Sequence, residues 1–220
     1  MVPKSEVING DCMDYLPNYP DNYFQLACVD PPYGIGNFIQ KDARSNSDFD
    51  KPKWNDKIPN NEYFKEIFRV SKNQIIWGGN YYTKILKPTN YWIIWDKKCE
   101  CFKAHQSRCE MAWTSYHVPC NLIDSIPWTS GFMRRNIENI IHPCQKPIAL
   151  YKYLLKNYAK PGDTILDTHL GSGSSRIAAH EMGFDFEGYE IDKDYFDAQE
   201  KRFQNHIKQQ SLFQPNEMYT

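Results

Sequence analysis

Short apolar runs alternate with amphipathic segments along most of the chain. The runs are rich in β-branched and aromatic residues, and they predict strands at Glu6–Asn9, Gln25–Val29, Gln74–Trp77, Tyr91–Trp95, Met111–Thr114, Thr164–Leu166 and Phe186–Glu190. Apolar residues that recur with helical spacing predict helices at Asn61–Val70, Ile148–Tyr158, Ser174–Glu181 and Lys193–Lys208. Strands that alternate with helices favour an α/β fold, in which helices cover both faces of a sheet.

Two stretches do not follow this alternation. Residues 34–60 are polar and mixed in charge, and a loop of this length inside a compact domain is usually functional or disordered. Residues 99–141 contain strand candidates but no long helical pattern. There is no internal repeat, heptad pattern or low-complexity tract in the sequence, so we expect one domain.

The composition also fits a single globular domain. Of the 220 residues, 41% are hydrophobic and 24% are charged, which is enough to build a core. The net charge of −1 excludes a protein that coats nucleic acid by bulk charge. Residues 97–146, however, carry seven basic and four acidic side chains, so a polyanion is expected to bind near the middle of the chain.

The apolar runs and the cysteines bear on the cellular compartment. No run approaches the roughly 20 residues of a membrane-spanning helix, and the first residues lack the apolar stretch of a secretion signal. The seven cysteines are an odd number, which favours reduced thiols in a cytoplasmic protein. Cys99, Cys101, His105 and Cys109 lie close together, but their spacing is unusual for zinc, and we predict no metal site.

The first motif with chemical meaning is Asp30-Pro31-Pro32-Tyr33, directly after an apolar predicted strand. Consecutive prolines lack N–H donors and hold the backbone rigid, so their carbonyl oxygens remain available as acceptors. A carboxylate, a fixed carbonyl and an aromatic ring at one strand end suit an exocyclic amino group on a planar base. A strand-to-loop turn with an aspartate cap is the structural alternative.

The second motif is a glycine turn, Gly171-Ser172-Gly173, between a predicted strand and a predicted helix. The glycines allow the backbone to approach a ligand, and the helix N-terminus offers free N–H groups. Glu190 ends the following strand, where an acid usually holds a ribose diol. The dinucleotide and phosphate-loop fingerprints are incomplete, so we expect a ligand with a ribose and no pyrophosphate, such as an adenosine carried on a sulfonium.

The third motif, His-Pro-Cys-Gln-Lys-Pro at residues 142–147, precedes a predicted helix and in isolation is a helix entry. In this order the three motifs resemble the β-group amino-methyltransferases, which modify exocyclic amines in DNA with S-adenosylmethionine. The first is similar to that family's catalytic motif, the second to its cofactor turn and the third to the segment before its first helix. Residues 8–12 and 110–114 resemble further strands of phage and bacterial members. The resemblance covers most of residues 5–205.

The resemblance implies a Rossmann-like, seven-stranded, mostly parallel sheet with a permuted order of motifs. One methyltransferase domain would span residues 1–220, with a catalytic half at 5–116, a short target-recognition segment at 117–141 and a cofactor half at 142–208. The target base would be flipped out of double-stranded DNA into a pocket at the C-terminal ends of the strands.

The resemblance also implies roles for individual residues. Catalytic contacts are expected from Asp30, Pro31, Pro32 and Tyr33, with the ring of Tyr33 stacked on the base. Contacts to the cofactor are expected from Asp11, Cys12, Asp30, Gln145, Lys146, Asp167, His169, Gly171, Ser172, Gly173, Ser174, Glu190 and Ile191. Contacts to DNA are expected from Lys53, Trp54, Arg134 and Arg135.

Within the cofactor set, more specific positions follow from the same resemblance. Asp167 is expected at the methionine amino group, Glu190 on the ribose and Asp11 near the adenine. Gln145 and Lys146 are expected near the methionine end.

The first motif position bears on the substrate. Aspartate there is usual for family members that methylate adenine N6, whereas serine is commoner in those that methylate cytosine N4. We therefore predict an adenine-N6 DNA methyltransferase of a bacterial or phage-infected cell, of the kind found in restriction–modification. Cytosine-N4 methylation is the alternative.

Two hypotheses lie outside DNA methylation. Thr168-His169 replaces the family's usual Pro-Phe, and this change is the only feature that favours a non-catalytic subunit that binds nucleic acid. Methylation of RNA or of a protein amide is the second hypothesis. The short recognition segment favours a homodimer, because a second subunit would extend the DNA footprint.

Overall fold

The computed structural model describes residues 2–36, 55–98, 107–126 and 140–213, with side chains described up to residue 209. The strands are β1 (Ser5–Asn9), β2 (Phe24–Val29), β3 (Ser71–Trp77), β4 (Trp92–Asp96), β5 (Cys109–Thr114), β6 (Asn121–Ile123), β7 (Thr164–Asp167) and β8 (Asp185–Glu190). The helices are α1 (Asn61–Val70), α2 (Ile148–Tyr158), α3 (Ser174–Glu181) and α4 (Lys193–Phe213). Every predicted strand and helix is present, although β3 and α4 are longer than expected.

The strands of the described residues form one eight-stranded sheet in the order β1-β8-β7-β2-β3-β5-β4-β6. All neighbours are parallel except β5, which is antiparallel to β3 and to β4. The predicted α/β fold with a mostly parallel sheet is thus confirmed. The sheet has one strand more than the seven expected. The additional strand, β6, has only three residues and is too short to show an alternating pattern in the sequence.

The central strand β2 is buried on both faces. Leu26 and Cys28 face a core that includes residues of α2 and α3, while Ala27 and Val29 face a second core that includes residues of α1. All four side chains are at most 1% exposed. This double burial explains why β2 is apolar at every position from Leu26 to Val29 rather than at alternate positions.

The N-terminal and C-terminal parts of the chain meet where β2 pairs with β7. Leu26 lies opposite Ile165, and Ala27 lies opposite Leu166 in a parallel register. Because parallel strands end at the same edge of a sheet, the first motif after β2 and the glycine turn after β7 lie side by side. In the described part of the chain, no helix combines the length and apolar character that crossing a membrane requires.

Candidate active site

A cavity of about 810 Å³ opens at the C-terminal ends of β1, β2, β7 and β8. Asp30 and Tyr33 line it from the N-terminal part of the chain, and Lys146 and Glu190 line it from the C-terminal part. Its volume lies within the range of about 300–1,000 Å³ that is typical of small-molecule sites. The antiparallel strand β5 begins at this same edge, which brings Glu110 to the cavity as well.

The carboxylate of Asp30 is held by two donors. The hydroxyl group of Tyr33 donates a hydrogen bond to Oδ1 at 2.6 Å. The ammonium group of Lys146 contacts Oδ2. Each carboxylate oxygen can accept more than one hydrogen bond, so Asp30 retains acceptor capacity toward the cavity.

Lys146 lies between two carboxylates and is itself buried. Its Nζ atom contacts Asp30 on one side and lies 3.2 Å from Oε2 of Glu110 on the other. The same atom lies 5.2 Å from the centre of the Trp77 ring. Burial lowers the pKa of Lys146, but the two carboxylates outweigh burial and hold the pKa above its ordinary value. The side chain is therefore a fixed positive charge.

Glu110 is the second carboxylate of this cluster, and Lys97 is the second cation. Nζ of Lys97 lies 2.7 Å from Oε1 of Glu110. Burial raises the pKa of Glu110, but Lys146 and Lys97 outweigh burial and lower the pKa to about 2. A row of alternating charges, Asp30, Lys146, Glu110 and Lys97, therefore lines one wall of the cavity.

The proline segment is fixed by the buried side chain of Tyr82. The hydroxyl group of Tyr82 reaches the carbonyl oxygen of Pro31 at 2.7 Å and that of Pro32 at 3.0 Å. A carbonyl oxygen has two lone pairs, so the oxygen of Pro31 can accept a further hydrogen bond. Tyr82 thus sets the direction in which this acceptor points.

The position of Tyr33 is set by its backbone as well as by its hydroxyl group. The backbone N–H of Tyr33 donates to Oδ1 of the buried Asn55 at 3.0 Å. A Cβ atom at Gly78 would lie only 2.2 Å from Cε1 of Tyr33, so only glycine permits this close approach. The ring of Tyr33 also stacks on that of Tyr81.

On the cofactor side, Glu190 joins the end of β8 to the glycine turn. The N–H of Gly171 donates to Oε2 of Glu190 at 2.8 Å, and the N–H of Asp192 donates to Oε1 at 2.9 Å. Burial raises the pKa of Glu190, while these backbone N–H groups act in the opposite direction. Ile191, which is 62% exposed, lies beside this acid and lines the rim of the cavity.

His169 forms part of the cavity wall beside Thr168. Oγ1 of Thr168 lies 3.0 Å from Nδ1 of His169 and 2.7 Å from the hydroxyl group of Tyr63. Burial lowers the pKa of His169 to about 4, so its imidazole is neutral at pH 7. The ring also packs edge-on against Tyr63, with 5.4 Å between ring centres. A flat, uncharged ring is therefore part of the cavity wall at this position.

Asp11 and Cys12 line the cavity after β1. Oδ1 of Asp11 accepts a hydrogen bond from the N–H of Met13 at 2.9 Å, which caps a short 3-10 helix. Burial and the neighbouring Asp11 raise the pKa of the Cys12 thiol to about 12. Cys12 is thus a neutral, apolar part of the wall, while Asp11 is exposed.

Comparison with known proteins places this chain in a family. A family model described as DNA methylase, of the N6/N4 type, matches residues 81–201, which is more than half of the chain. The chain belongs to the N6/N4 DNA methylase family. It is therefore a DNA methyltransferase, and its cofactor is S-adenosylmethionine.

Individual relatives of this DNA methylase are distant. Type II methyltransferase M.HinfI from Haemophilus influenzae is 24% identical, over 89% of this chain and 67% of its own. The crystal structure of the M1.HpyAVI–SAM complex is similar with a TM-score of 0.59 and 17% identity, over 90% of this chain and 99% of that one. The cytosine-N4-specific PvuII DNA methyltransferase has a TM-score of 0.61 and 12% identity, over 95% of this chain and 93% of that one. The two structures show the shared fold.

The residues around the cavity of this DNA methylase fit its cofactor. S-adenosylmethionine carries positive charge on its sulfonium and amino groups, and the acidic side chains of Asp11, Asp30 and Glu190 line the cavity. Gly171 and Ser172 of the glycine turn also line the cavity. The neutral ring of His169 and the exposed Ile191 offer apolar surface for a nucleoside.

The structure brings most of the predicted site residues to this one cavity. Those that line it are Asp11, Cys12, Asp30, Pro31, Pro32, Tyr33, Gln145, Lys146, His169, Gly171, Ser172, Ser174, Glu190 and Ile191. Asp167 and Gly173 do not line it. Lys53, Trp54, Arg134 and Arg135 lie outside the described residues, as do Cys99, Cys101 and His105.

Asp167 and Gly173 lie behind the cavity wall and shape the turn. The carboxylate of Asp167 accepts a hydrogen bond from the hydroxyl group of Ser175 at 2.5 Å and one from the N–H of His169 at 3.1 Å. Gly173 has a φ of +70°, which favours glycine, and it precedes the first residue of α3. A direct contact of either residue with the cofactor stays a prediction.

Sequence reasoning missed four residues that shape the site, namely Asn55, Tyr81, Tyr82 and Glu110. Glu110 lies next to a predicted strand, but no sequence signal marks its carboxylate as a partner of Lys146. Asn55 and Tyr82 hold the first motif from distant positions in the sequence, so only the fold reveals them. The ammonium group of Lys146 contacts Asp30, a partner that the sequence did not indicate. The expected position of Lys146 near the methionine end of the cofactor stays a prediction.

Proposed function

We propose that this DNA methylase is an adenine-N6 methyltransferase that acts on a flipped-out adenine in double-stranded DNA. The observation that carries the proposal is the aspartate at the first motif position, with its carboxylate held at the cavity by Tyr33 and Lys146. Asp30 and the carbonyl oxygen of Pro31 provide two acceptors at the start of one rigid segment. An exocyclic amino group has two hydrogens to donate, and this pair of acceptors matches it.

In the proposed reaction, Asp30 and Pro31 orient the amino nitrogen of the base. By accepting its two hydrogens, they favour a pyramidal nitrogen whose lone pair points away from them. Lys146 keeps Asp30 paired with a positive charge, and Tyr82 keeps the Pro31 carbonyl in place. Positioning of this kind supplies a large share of the acceleration when two bound reactants must meet in line.

The nitrogen releases one proton only after it has gained the methyl group, so Asp30 does not have to be a strong base. Its carboxylate accepts that proton or passes it to water. When bound, S-adenosylmethionine supplies the electrophilic methyl group on its sulfonium. Glu190 would hold the ribose of the cofactor, and the turn at Gly171 would support its chain.

Recognition of DNA would come from two segments of the sequence that carry basic and aromatic side chains. Lys53 and Trp54 in the long loop, and Arg134 and Arg135 before the third motif, supply the basic and aromatic side chains that contact phosphates and base edges. A homodimer would extend the footprint of this short recognition segment.

The alternative is cytosine-N4 methylation, because the family includes N4 enzymes and the two acceptors would serve either amine. The test is a methyl-transfer assay with purified protein, labelled S-adenosylmethionine and unmethylated bacterial DNA, followed by separation of the nucleosides. Labelled N6-methyladenine supports the proposal, whereas labelled N4-methylcytosine supports the alternative. A protein that binds the cofactor but transfers no methyl group to DNA contradicts both.

A further inference from the structure

The ring of Tyr33 is already stacked on another aromatic ring. Tyr81 lies in the short 3-10 helix Gly79–Tyr81 after β3, and it lines the same cavity. Its ring centre is 4.9 Å from that of Tyr33, and the planes are inclined by 15°. Tyr81 is nevertheless 42% exposed, so it stands at the mouth of the cavity. Two rings at this distance leave no room for a third ring between them.

The two tyrosines are held very differently. Tyr33 is fixed by hydrogen bonds from its hydroxyl group to Asp30 and from its N–H to Asn55. Among the residues that the structure describes, the hydroxyl group of Tyr81 makes no hydrogen bond. Tyr81 is therefore the member of the pair whose side chain can rotate away at low cost.

The backbone that carries Tyr81 is fixed, so any movement is confined to the side chain. The N–H of Gly78 donates to the carbonyl of Met111 at 2.9 Å, and the N–H of Tyr81 donates to the carbonyl of Gly78 at 2.8 Å. A Cβ atom at Gly79 would lie 2.6 Å from Cβ of Trp113, so this turn packs directly against β5. Gly78 in turn packs against the ring of Tyr33.

We propose that Tyr81 occupies the position on the Tyr33 ring that the flipped base takes, and that its side chain rotates away when the base enters. This inference rests on the proposed function, because it takes Tyr33 to be the surface on which the base stacks. Gly78 also contacts the ring of Tyr33, but its hydrogen bond to Met111 of β5 ties it to the sheet. The side chain of Tyr81 can rotate, so the base displaces Tyr81. When a base enters, the ring of Tyr33 exchanges its contact with Tyr81 for a contact with the base. Tyr81 therefore competes with the base for the ring of Tyr33.

Kinetics with the Tyr81→Ala variant test the exchange. Removal of a competitor lowers the KM for DNA, and we expect a decrease of about two- to tenfold, which corresponds to one aromatic pair. The Kd for S-adenosylmethionine stays the same. Tyr81→Phe keeps the ring and is expected to behave as the wild type. Tyr91→Ala is the matched control, because Tyr91 also stacks on a ring, that of His117, but does not line the cavity.

A second measurement does not depend on catalysis. Binding of free deoxyadenosine and deoxycytidine is followed by saturation-transfer NMR, with S-adenosylhomocysteine present at saturation to fill the cofactor site. Tyr81→Ala is expected to bind a nucleoside more tightly than the wild type and than Tyr81→Phe. A raised KM and weaker nucleoside binding would instead make Tyr81 a clamp on the base and overturn the proposal.

The outcomes separate this inference from the proposed function. If all variants bind nucleosides equally, or none of them binds, Tyr81 does not occupy the position of the base. If the wild type methylates DNA while Tyr81→Ala leaves the KM unchanged, the inference fails and the proposed function stands. If the wild type transfers no methyl group but Tyr81→Ala binds nucleosides more tightly, the proposed function fails, whereas the finding that Tyr81 covers a position that a base can take remains.

Discussion

The ammonium group of Lys146 contacts the carboxylate of Asp30, although 116 residues separate them in the sequence. The contact joins the third motif to the first across the cavity. Glu110 lies on the other side of the ammonium group at 3.2 Å, so the cation is shared by two acids. Lys146 therefore orients the carboxylate of Asp30, on which the proposed reaction depends. The importance of this cation for stability can be tested by replacing Lys146.

Lys146→Met is expected to destabilise the protein at pH 7 by about 3–5 kcal/mol, because it leaves two poorly hydrated carboxylates without their shared partner. Lys146 helps to lower the pKa of Glu110 from 4.5 to about 2, because the ion pair favours the charged carboxylate. The stabilisation by this ion pair is therefore complete well above pH 4.5 and is lost as the pH falls toward 2 and Glu110 becomes protonated. The difference in the free energy of unfolding between the variant and the wild type should thus be smaller in acid. Urea denaturation of both proteins at pH 7 and at pH 4 measures this difference.

Lys152→Met is the matched control for that experiment. Lys152 also pairs with an acid, Glu181, but its side chain is 43% exposed. Exposed ion pairs contribute about 1 kcal/mol or less. An equal loss of stability in the two variants would show that the charges at the cavity are no more important than a surface pair.

Asp30→Ala is expected to abolish methyl transfer, with a loss of at least about a hundredfold, because the amino group of the base loses an oriented acceptor. Binding of the cofactor should fall far less than transfer does, since Asp11, Glu190 and the glycine turn are untouched. Transfer is measured with labelled S-adenosylmethionine, and binding by calorimetry. Asp14→Ala removes an exposed acid and serves as the control. Equal losses of binding and transfer would contradict the role proposed for Asp30.

Tyr82→Phe is expected to lower kcat by about tenfold, because the carbonyl of Pro31 loses the hydrogen bond that directs it. The buried carbonyl left without a partner should also cost about 1–3 kcal/mol of stability. Tyr116→Phe removes a comparable hydroxyl-to-carbonyl bond, to Tyr158, away from the cavity. Enzyme kinetics should show a loss of kcat in the first variant only. A similar kcat in both would mean that the proline segment needs no such support.

Asp167→Asn is expected to change how stability depends on pH. Burial raises the pKa of Asp167 to about 7, although hydrogen bonds from Ser175 and His169 oppose the shift. The folded protein therefore keeps a proton on this carboxyl between about pH 4 and 7 that the unfolded chain has released, and stability falls as the pH rises through this window.

Asn cannot ionise, so Asp167→Asn should gain stability relative to the wild type between pH 5 and pH 8. Urea denaturation at the two pH values provides the comparison. Asp194→Asn, at an exposed position of α4, should give no such trend. Parallel pH profiles for the wild type and Asp167→Asn would show that Asp167 is ionised throughout the window.

The elements and motifs of this fold could be predicted because they leave local patterns in the sequence. The apolar run of β2 and the helical spacing in α1 each reflect burial against a nearby layer. The first motif and the glycine turn were recognised for the same reason, since the chemistry requires particular residue types at neighbouring positions. Their meeting at one cavity follows from the parallel pairing of β2 and β7.

The contacts that tune the site could not be predicted, because they join residues that are far apart in the sequence. Nothing near Glu110 indicates that it faces Lys146, and nothing near Tyr82 indicates that it reaches Pro31. The position of Asp167 behind the wall depends on how the turn folds over it. Residue propensities predict individual helices and strands, whereas the positions of these side chains are set by how the helices and strands pack together.

The pairing of β2 with β7 also has a consequence for how the protein folds. The side-chain carbonyl of Gln25 accepts a hydrogen bond from the N–H of Thr164, 139 residues away. A parallel pair of this separation must close a very long loop before its contacts repay the lost chain entropy, and such pairings form slowly. We expect the two halves of the sequence to gain their local structure first, and the cavity to exist only after this late step joins them.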